Sequence, residues 1–245
     1  MALLLNCDLG ESTDASSMHV DQAVMPHIDQ ANIACGFHAG NPLVIKQTLA
    51  LAKQHQVIIG AHPSYPDLEG FGRRSMPCSA AEIHALLIYQ IAALDGMACT
   101  QGQQLHYVKP HGALYNDMMQ NQAIRHAIMA AIASYHKPLS LMLQATPAAA
   151  AHQREADNFN LPLLFEAFAD RRYDDQGLLL PRSQPGAVLD GEAILAQVAQ
   201  LLQQQSVTTV SGHHLPLYAD SLCVHGDNSD SVDLIMKIRQ LVSHK

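Results

Sequence analysis

Gln30-Ala31-Asn32-Ile33-Ala34-Cys35-Gly36-Phe37-His38-Ala39-Gly40-Asn41-Pro42 holds one complete strand-to-helix unit. Its short first run, Gln30 to Ala34, reads as a strand. Two glycines then bracket Phe37 and His38, a setting that allows a tight turn and close backbone approach to a ligand. Asn41 supplies a capping oxygen for a helix whose first position is Pro42, where a missing N–H costs nothing. Val44, Ile45, Leu49 and Ala52 give that helix one apolar side.

The same alternation runs outward in both directions. Candidate strands are Ala2 to Cys7, Gln30 to Ala34, Val57 to Ala61, Leu105 to Lys109, Leu139 to Leu143, Pro162 to Ala167 and Leu222 to Val224. Ser79-Ala80-Ala81-Glu82 has capping-box spacing ahead of a long apolar helix. Further helices are expected over about Ala123 to Ser134, about Pro147 to Arg154, Gly191 to Gln204 and Val232 to Val242. Short strands alternating with longer helical segments predict an α/β fold, a TIM-like (β/α) barrel of about seven parallel strands, with residues 1–245 forming one domain. Val207 to Leu217 departs from the alternation and reads as a hairpin around Gly212, with His213 and His214 as exposed turn residues.

Composition narrows the function. The chain has 245 residues, of which 48% are hydrophobic and 15% charged, enough apolar material for a substantial core. Its formal charge of −8, from 22 acidic against 14 basic residues, includes no Lys/Arg run that could track a phosphate backbone or an anionic bilayer, so nucleic acid and membrane partners are not expected. No apolar stretch reaches the length of a spanning helix. Met1 to Leu5 is too short for a signal segment and lacks basic residues, and Leu4-Leu5-Asn6-Cys7 fails as a lipoprotein signal for the same reasons. Five cysteines without a Cys-x-x-Cys pair fit a reducing, cytoplasmic setting.

The titratable residues fall at strand ends. Asp8 follows the first strand, His38 the second, His62 the third, Lys109 and His111 the fourth, Glu166 and Asp170 the sixth, His225 and Asp227 the seventh. In a parallel barrel all carboxyl ends open on one face, so these residues converge on one site. Asp8, His38 and His62 form a mixed oxygen and nitrogen set suited to zinc or manganese with open positions; the alternative is a hydrogen-bonded cluster that orients substrate without metal. Arg73, Arg74, Arg171 and Arg182 offer guanidinium forks for a carboxylate or phosphate, the alternative being surface ion pairs. Neither phosphate-cradling glycine loop of the common nucleotide folds occurs, nor a Gly-x-Ser-x-Gly elbow. Cys35 and Cys223 read as small buried hydrophobes.

Seven ordered blocks carry a family resemblance: Leu5-Asn6-Cys7-Asp8-Leu9-Gly10-Glu11, Ala31 to Gly40, Gly60-Ala61-His62-Pro63 through Phe71-Gly72-Arg73-Arg74, Val108-Lys109-Pro110-His111-Gly112-Ala113-Leu114-Tyr115, Glu166-Ala167-Phe168-Ala169-Asp170-Arg171, Pro181 to Ala187, and Cys223-Val224-His225-Gly226-Asp227-Asn228. Together they resemble the lactam-utilisation (LamB/YcsF) family. One departure is Ser12-Thr13-Asp14-Ala15 after Glu11, which bears on the first loop.

The resemblance implies an irregular barrel of the glycoside hydrolase/deacetylase type. It also implies an ATP-dependent, Mg2+-assisted 5-oxoprolinase activity, in which members serve as the A component beside 5-oxoprolinase subunits B and C to convert 5-oxo-L-proline, ATP and water to L-glutamate, ADP and phosphate. On that reading Asp8 or Glu166 is the general base, His38 and His62 hold a metal or an oxyanion, and Lys109 or Arg73 meets the substrate carboxylate or phosphate. His111 and His225 are expected as proton shuttles, with Asp227 also catalytic; Asn6, Gly36, Arg73, Arg74, Asp170, Arg171 and Arg182 are expected to hold substrate or phosphate. Two rival readings are a stand-alone metal-dependent amidohydrolase or deacetylase and a non-catalytic substrate-binding protein; a homo-oligomer is compatible with all three.

Overall fold

β1 (Leu4–Leu9), β2 (Gln30–Ala34), β3 (Ile58–His62), β4 (Tyr107–Val108), β5 (Ser140–Gln144) and β6 (Leu163–Phe168) follow one another around a ring, which β9 (Ser221–Cys223) closes by pairing with both β6 and β1. All seven pairings are parallel. The computed structural model describes residues 3–14, 18–224 and 229–243. The seven strands read from the sequence are thus the seven strands of the barrel, displaced by at most two residues at their starts and ends.

Helices α2 (Pro42–His55), α3 (Ala80–Thr100), α5 (Gln122–Ala133), α6 (Ala149–Asp157), α7 (Gly191–Gln204) and α8 (Ser229–Ser243) correspond to the expected helices. Asn41 accepts from the Leu43 and Val44 N–H groups, and Ser79 and Glu82 form the reciprocal capping box. Two helices went unread: α1 (His19–Val24), only six residues, and α4 (Gly112–Gln120), whose N-cap His111 makes no side-chain cap bond. The hairpin is present as β7 (Ser206–Thr208) against β8 (His214–Pro216), with exposed His213 and His214 near its turn. α3 corrects one sequence expectation. It has 21 residues, with an 18-residue window of mean hydropathy 1.3, long and apolar enough to cross a membrane by length and composition. In the barrel it packs against α5, and its Gln90 side chain bonds both backbone groups of Ser64 in the loop after β3.

The outward positions of the strands, such as Leu5, Cys7, Ile33, Ile59, Leu141 and Ala167, join the helix faces in the apolar core. Many of the inward positions are polar. Branched hydrophobes usually fill such a barrel; here Asn6, Asn32, Tyr107, Lys109, Glu166 and Ser221, all nearly or fully buried, hydrogen-bond one another across the lumen. Buried polar groups are tolerated when each finds a partner. Gly60 makes room for this network, because a Cβ there would lie 2.3 Å from Cε2 of the Tyr107 ring.

Candidate active site

Lys109 stands one residue beyond β4 and is buried at the centre of the carboxyl-end face. Its Nζ lies 2.9 Å from Asp8 Oδ1 and 3.1 Å from Glu166 Oε2, with Asn6 Oδ1 and Cys223 Sγ each at 3.3 Å. Burial opposes its charge, but Asp8, Cys223 and Glu166 outweigh that effect, and its pKa stands well above the usual lysine value. One cation is therefore clamped between two carboxylates, a pairing that makes the burial of all three affordable. Asp8 Oδ1 also accepts from Asn32 Nδ2 at 2.7 Å, so the outer oxygen, Oδ2, is the one turned toward the imidazoles, 3.3 Å from His62 Nε2.

Three imidazoles and a carboxylate gather beside this clamp. His38, His62, His111 and Glu11 each offer a ligand atom, and these atoms all lie within 4.8 Å of one another, so the cluster can hold a metal ion. His62 ends β3 and its Nδ1 is 2.7 Å from the Lys109 carbonyl; His111 Nε2 is 2.9 Å from the Phe71 carbonyl. His38 stacks on His111 with ring centroids 3.7 Å apart and planes 4° from parallel. Burial first, then His62, holds the pKa of both His38 and His111 well below the usual imidazole value. The rings approach this closely because Gly72, at φ +64°, has no side chain: a Cβ there would lie 2.8 Å from His111 Cδ2 and 2.9 Å from His38 Cβ.

A cavity of about 280 Å3 opens above the cluster, lined among others by Asp8, Glu11, His62, Lys109, His111 and Tyr115 and rimmed by Arg73, Arg171 and Arg182. Arg73 lies over the Phe71 ring, 5.0 Å from its centroid. Arg171 is buried and donates to the Leu180 carbonyl; burial first, then Arg182, lowers its pKa. Gln197 on α7 secures this rim by donating to the Phe168, Ala169 and Arg171 carbonyls.

Of the residues expected at the site, Asp8, His38, His62, Lys109, His111 and Glu166 are brought together, with Asn6 beneath them in the lumen and Arg73, Arg171 and Arg182 around the opening. Arg74 turns away to pair with Asp67, Gly36 makes a turn by donating to the Ala39 carbonyl, and Asp170 is buried behind the rim with its carbonyl accepting from Leu189; none of the three lines the cavity. His225 and Asp227 lie outside the described residues. Cys223 is buried as expected, and burial pushes the Cys35 thiol up to about 12. Glu11, Asn32, Tyr107 and Tyr115 were missed as site residues. For Glu11 a signal existed: an acidic residue directly after the Asp8-Leu9-Gly10 end of a strand.

Comparison with known proteins bears on this geometry. The family model described as "LamB/YcsF family" matches residues 3–245. The chain belongs to the LamB/YcsF family. Within it, a Vibrio campbellii protein, by name the A component of 5-oxoprolinase, is 52% identical over 239 residues, 97% of this chain and 94% of that protein. A Pseudomonas fluorescens protein of the same name is 50% identical over 244 residues, 99% of this chain and 98% of that one. The crystal structure of a lactam utilization protein from Thermus thermophilus superposes with a TM-score of 0.90 at 36% identity, over 100% of this chain and 97% of that one. The barrel fold is therefore shared over the length of the chain.

Proposed function

We propose that this chain is the A component of an ATP-dependent 5-oxoprolinase, acting with subunits B and C to open the lactam of 5-oxo-L-proline to L-glutamate. The observation that carries the reading is the convergence of Asp8, Lys109, Glu166, His62 and His111 under an arginine-rimmed cavity, in a chain half-identical to proteins of that name.

A five-membered lactam with one carboxylate matches the cavity in size and charge. Small-molecule sites commonly measure about 300–1,000 Å3, so a space of about 280 Å3 lies at the small end. Neither phosphate-cradling glycine loop of the common nucleotide folds occurs in the chain, and ATP consumption on this reading belongs to the assembled enzyme. On this reading Arg171 and Arg73, both at the cavity, take the substrate carboxylate in a fork. Asp8, ion-paired with Lys109, is the general base for the attacking water, through its Oδ2, the oxygen turned away from Lys109 and Asn32. Lys109 places positive charge near the amide oxygen, which on this reading takes the phosphoryl group of ATP as ADP departs and gains charge as water adds; a second water then releases phosphate from the opened acyl phosphate. Breaking the C–N bond then requires a proton on the departing nitrogen, and protonated Asp8 returns it. A divalent ion of the zinc or manganese class belongs to this reading, and when bound at the imidazole cluster it supplies Lewis acidity and a water of lowered pKa. The five free cysteines accord with a cytoplasmic setting.

Glutamate release from 5-oxoproline, measured with and without ATP and with and without the two partner subunits, tests the proposal. Release that needs all components supports it. Release by the isolated chain with Zn2+ alone would replace it with a stand-alone amidohydrolase, the reading that the His/Glu cluster favours next.

A further inference from the structure

His62 Nε2 is surrounded by acceptors. The Lys109 carbonyl can only accept, so His62 carries its proton on Nδ1 and presents a lone pair at Nε2. His111 is fixed in the opposite tautomer, because its Nε2 donates to the Phe71 carbonyl and Nδ1 keeps the lone pair. These two lone pairs face each other across 2.9 Å. The remaining neighbours add negative charge: Asp8 Oδ2 lies 3.3 Å and Glu11 Oε1 3.9 Å from His62 Nε2, and Glu11 Oε1 lies 3.5 Å from His111 Nδ1. With neutral rings this arrangement is repulsive at every contact. A shared proton relieves one contact, whereas a cation at the centre relieves all of them.

We infer that Glu11 Oε1, His62 Nε2 and His111 Nδ1 are the three protein ligands of one divalent ion of the zinc class, with the open position facing Asp8. This deepens the hydrolytic reading of the same site, on which it rests. Zinc bonds of about 2.0–2.2 Å at tetrahedral angles separate ligand atoms by about 3.3 Å, and the observed 2.9, 3.5 and 3.9 Å straddle that distance. Two imidazoles and a carboxylate suit zinc, cobalt or manganese, whereas magnesium and calcium prefer oxygen alone. Both rings already donate their outer N–H to a backbone carbonyl, the arrangement that orients metal-bound histidines.

The two other candidates serve different roles. His38 stacks parallel to His111, so the in-plane lone pairs of the two rings lie in separate planes and cannot meet at one ion. His38 Nε2 lies 3.0 Å from Glu11 Oε1 and orients that carboxylate, while its buried Nδ1 has no hydrogen-bond partner among the described residues. Asp8 is committed to Lys109 and Asn32. The ligand set therefore replaces the Asp8, His38 and His62 expected from sequence with Glu11, His62 and His111.

The test is titration of the full-length, chelator-stripped chain with Zn2+ by calorimetry and with Co2+ by visible absorption, with no substrate present. One ion per chain is expected. Glu11→Gln, His62→Gln and His111→Gln should each weaken binding more than the ~10–100-fold that loss of an outer hydrogen-bond partner costs. His38→Gln should stay within that range, and so should Asp8→Asn, which removes a nearby charge but no ligand. No stoichiometric binding, or an Asp8→Asn loss equal to that of His111→Gln, overturns the inference. Should a histidine variant fail to fold, 15N-histidine NMR of the unaltered chain decides the point. Zn2+ must then shift one ring at Nε2 and one at Nδ1; any other pattern rejects the assignment. Lactam opening by a metal-free chain removes the ion alone, and ion binding without lactam opening removes the function alone.

Discussion

Lys109 Nζ sits 3.1 Å from Glu166 Oε2 inside the barrel lumen, where both side chains are almost wholly withdrawn from solvent. Each charge is tolerable there only because the other is present. The same lysine reaches Asp8, so this buried pair also holds the proposed base in place at the mouth.

Replacing Lys109 with Met leaves Asp8 and Glu166 facing each other without a cation. Stranding a buried charge in this way costs about 3–5 kcal/mol, and chemical denaturation should show a loss of that size. Lys109→Met combined with Glu166→Gln should be more stable than Lys109→Met alone, because the second change removes one stranded charge. A double variant no more stable than the single one would mean that the pair is not coupled.

Gly60→Ala should be disproportionately damaging for a one-methyl change. The new Cβ meets the Tyr107 ring at 2.3 Å, and forcing extra volume into a packed interior costs about 1–3 kcal/mol or more. Adding Tyr107→Leu should recover part of the loss in thermal unfolding, since the collision is with ring carbons. Equal melting temperatures for Gly60→Ala and the unaltered chain would contradict the packing described for the lumen.

The Arg125–Glu155 pair gives the fold an acid limb. Arg125 is buried, and its Nε and Nη2 donate to the two Glu155 oxygens at 2.6 and 2.9 Å. That fork first of all holds the Glu155 carboxyl below the usual glutamate range, with His126 and Gln122 adding to it. A lowered folded-state pKa means that the stabilisation is complete above the unfolded value of about 4.3 and drains away as pH falls below it. Glu155→Gln should therefore cost about 3 kcal/mol at neutral pH and progressively less below pH ~4. Urea midpoints measured across that range check this; a constant difference would exclude the linkage.

Arg171 is proposed to hold the substrate carboxylate. Arg171→Met should raise the KM of the assembled enzyme for 5-oxoproline by about 10–100-fold, the loss expected for one charge-assisted hydrogen bond of about 1.5–3 kcal/mol, and change kcat less. An unchanged KM would remove Arg171 from the binding role.

The barrel was legible because the strand-to-helix units carry local signals. Asn41-Pro42 and Ser79-Glu82 mark helix starts through chemistry confined to a few residues, and runs such as Ile58-Ile59 mark strands without tertiary help. Carboxyl-end placement then brought Asp8, His62, Lys109 and Glu166 together before any coordinates. What sequence could not supply was direction and pairing. Glu11 stands beyond the last strand residue, where strand alternation no longer fixes direction, and meets His38; Arg74, next to Arg73, is captured by Asp67 instead. The polar lumen also escaped notice, since Asn32 and Tyr107 in a buried strand look no different from outward-facing positions until the register is known.

The most direct measurement is the rate of L-glutamate formation by the reconstituted three-component enzyme carrying Asp8→Asn, with assembly verified by size-exclusion chromatography. An intact complex whose turnover falls by about 10^2–10^4-fold is expected, the range for losing a general base. An intact complex that loses less than about tenfold, under about 1.4 kcal/mol of barrier, would contradict that role.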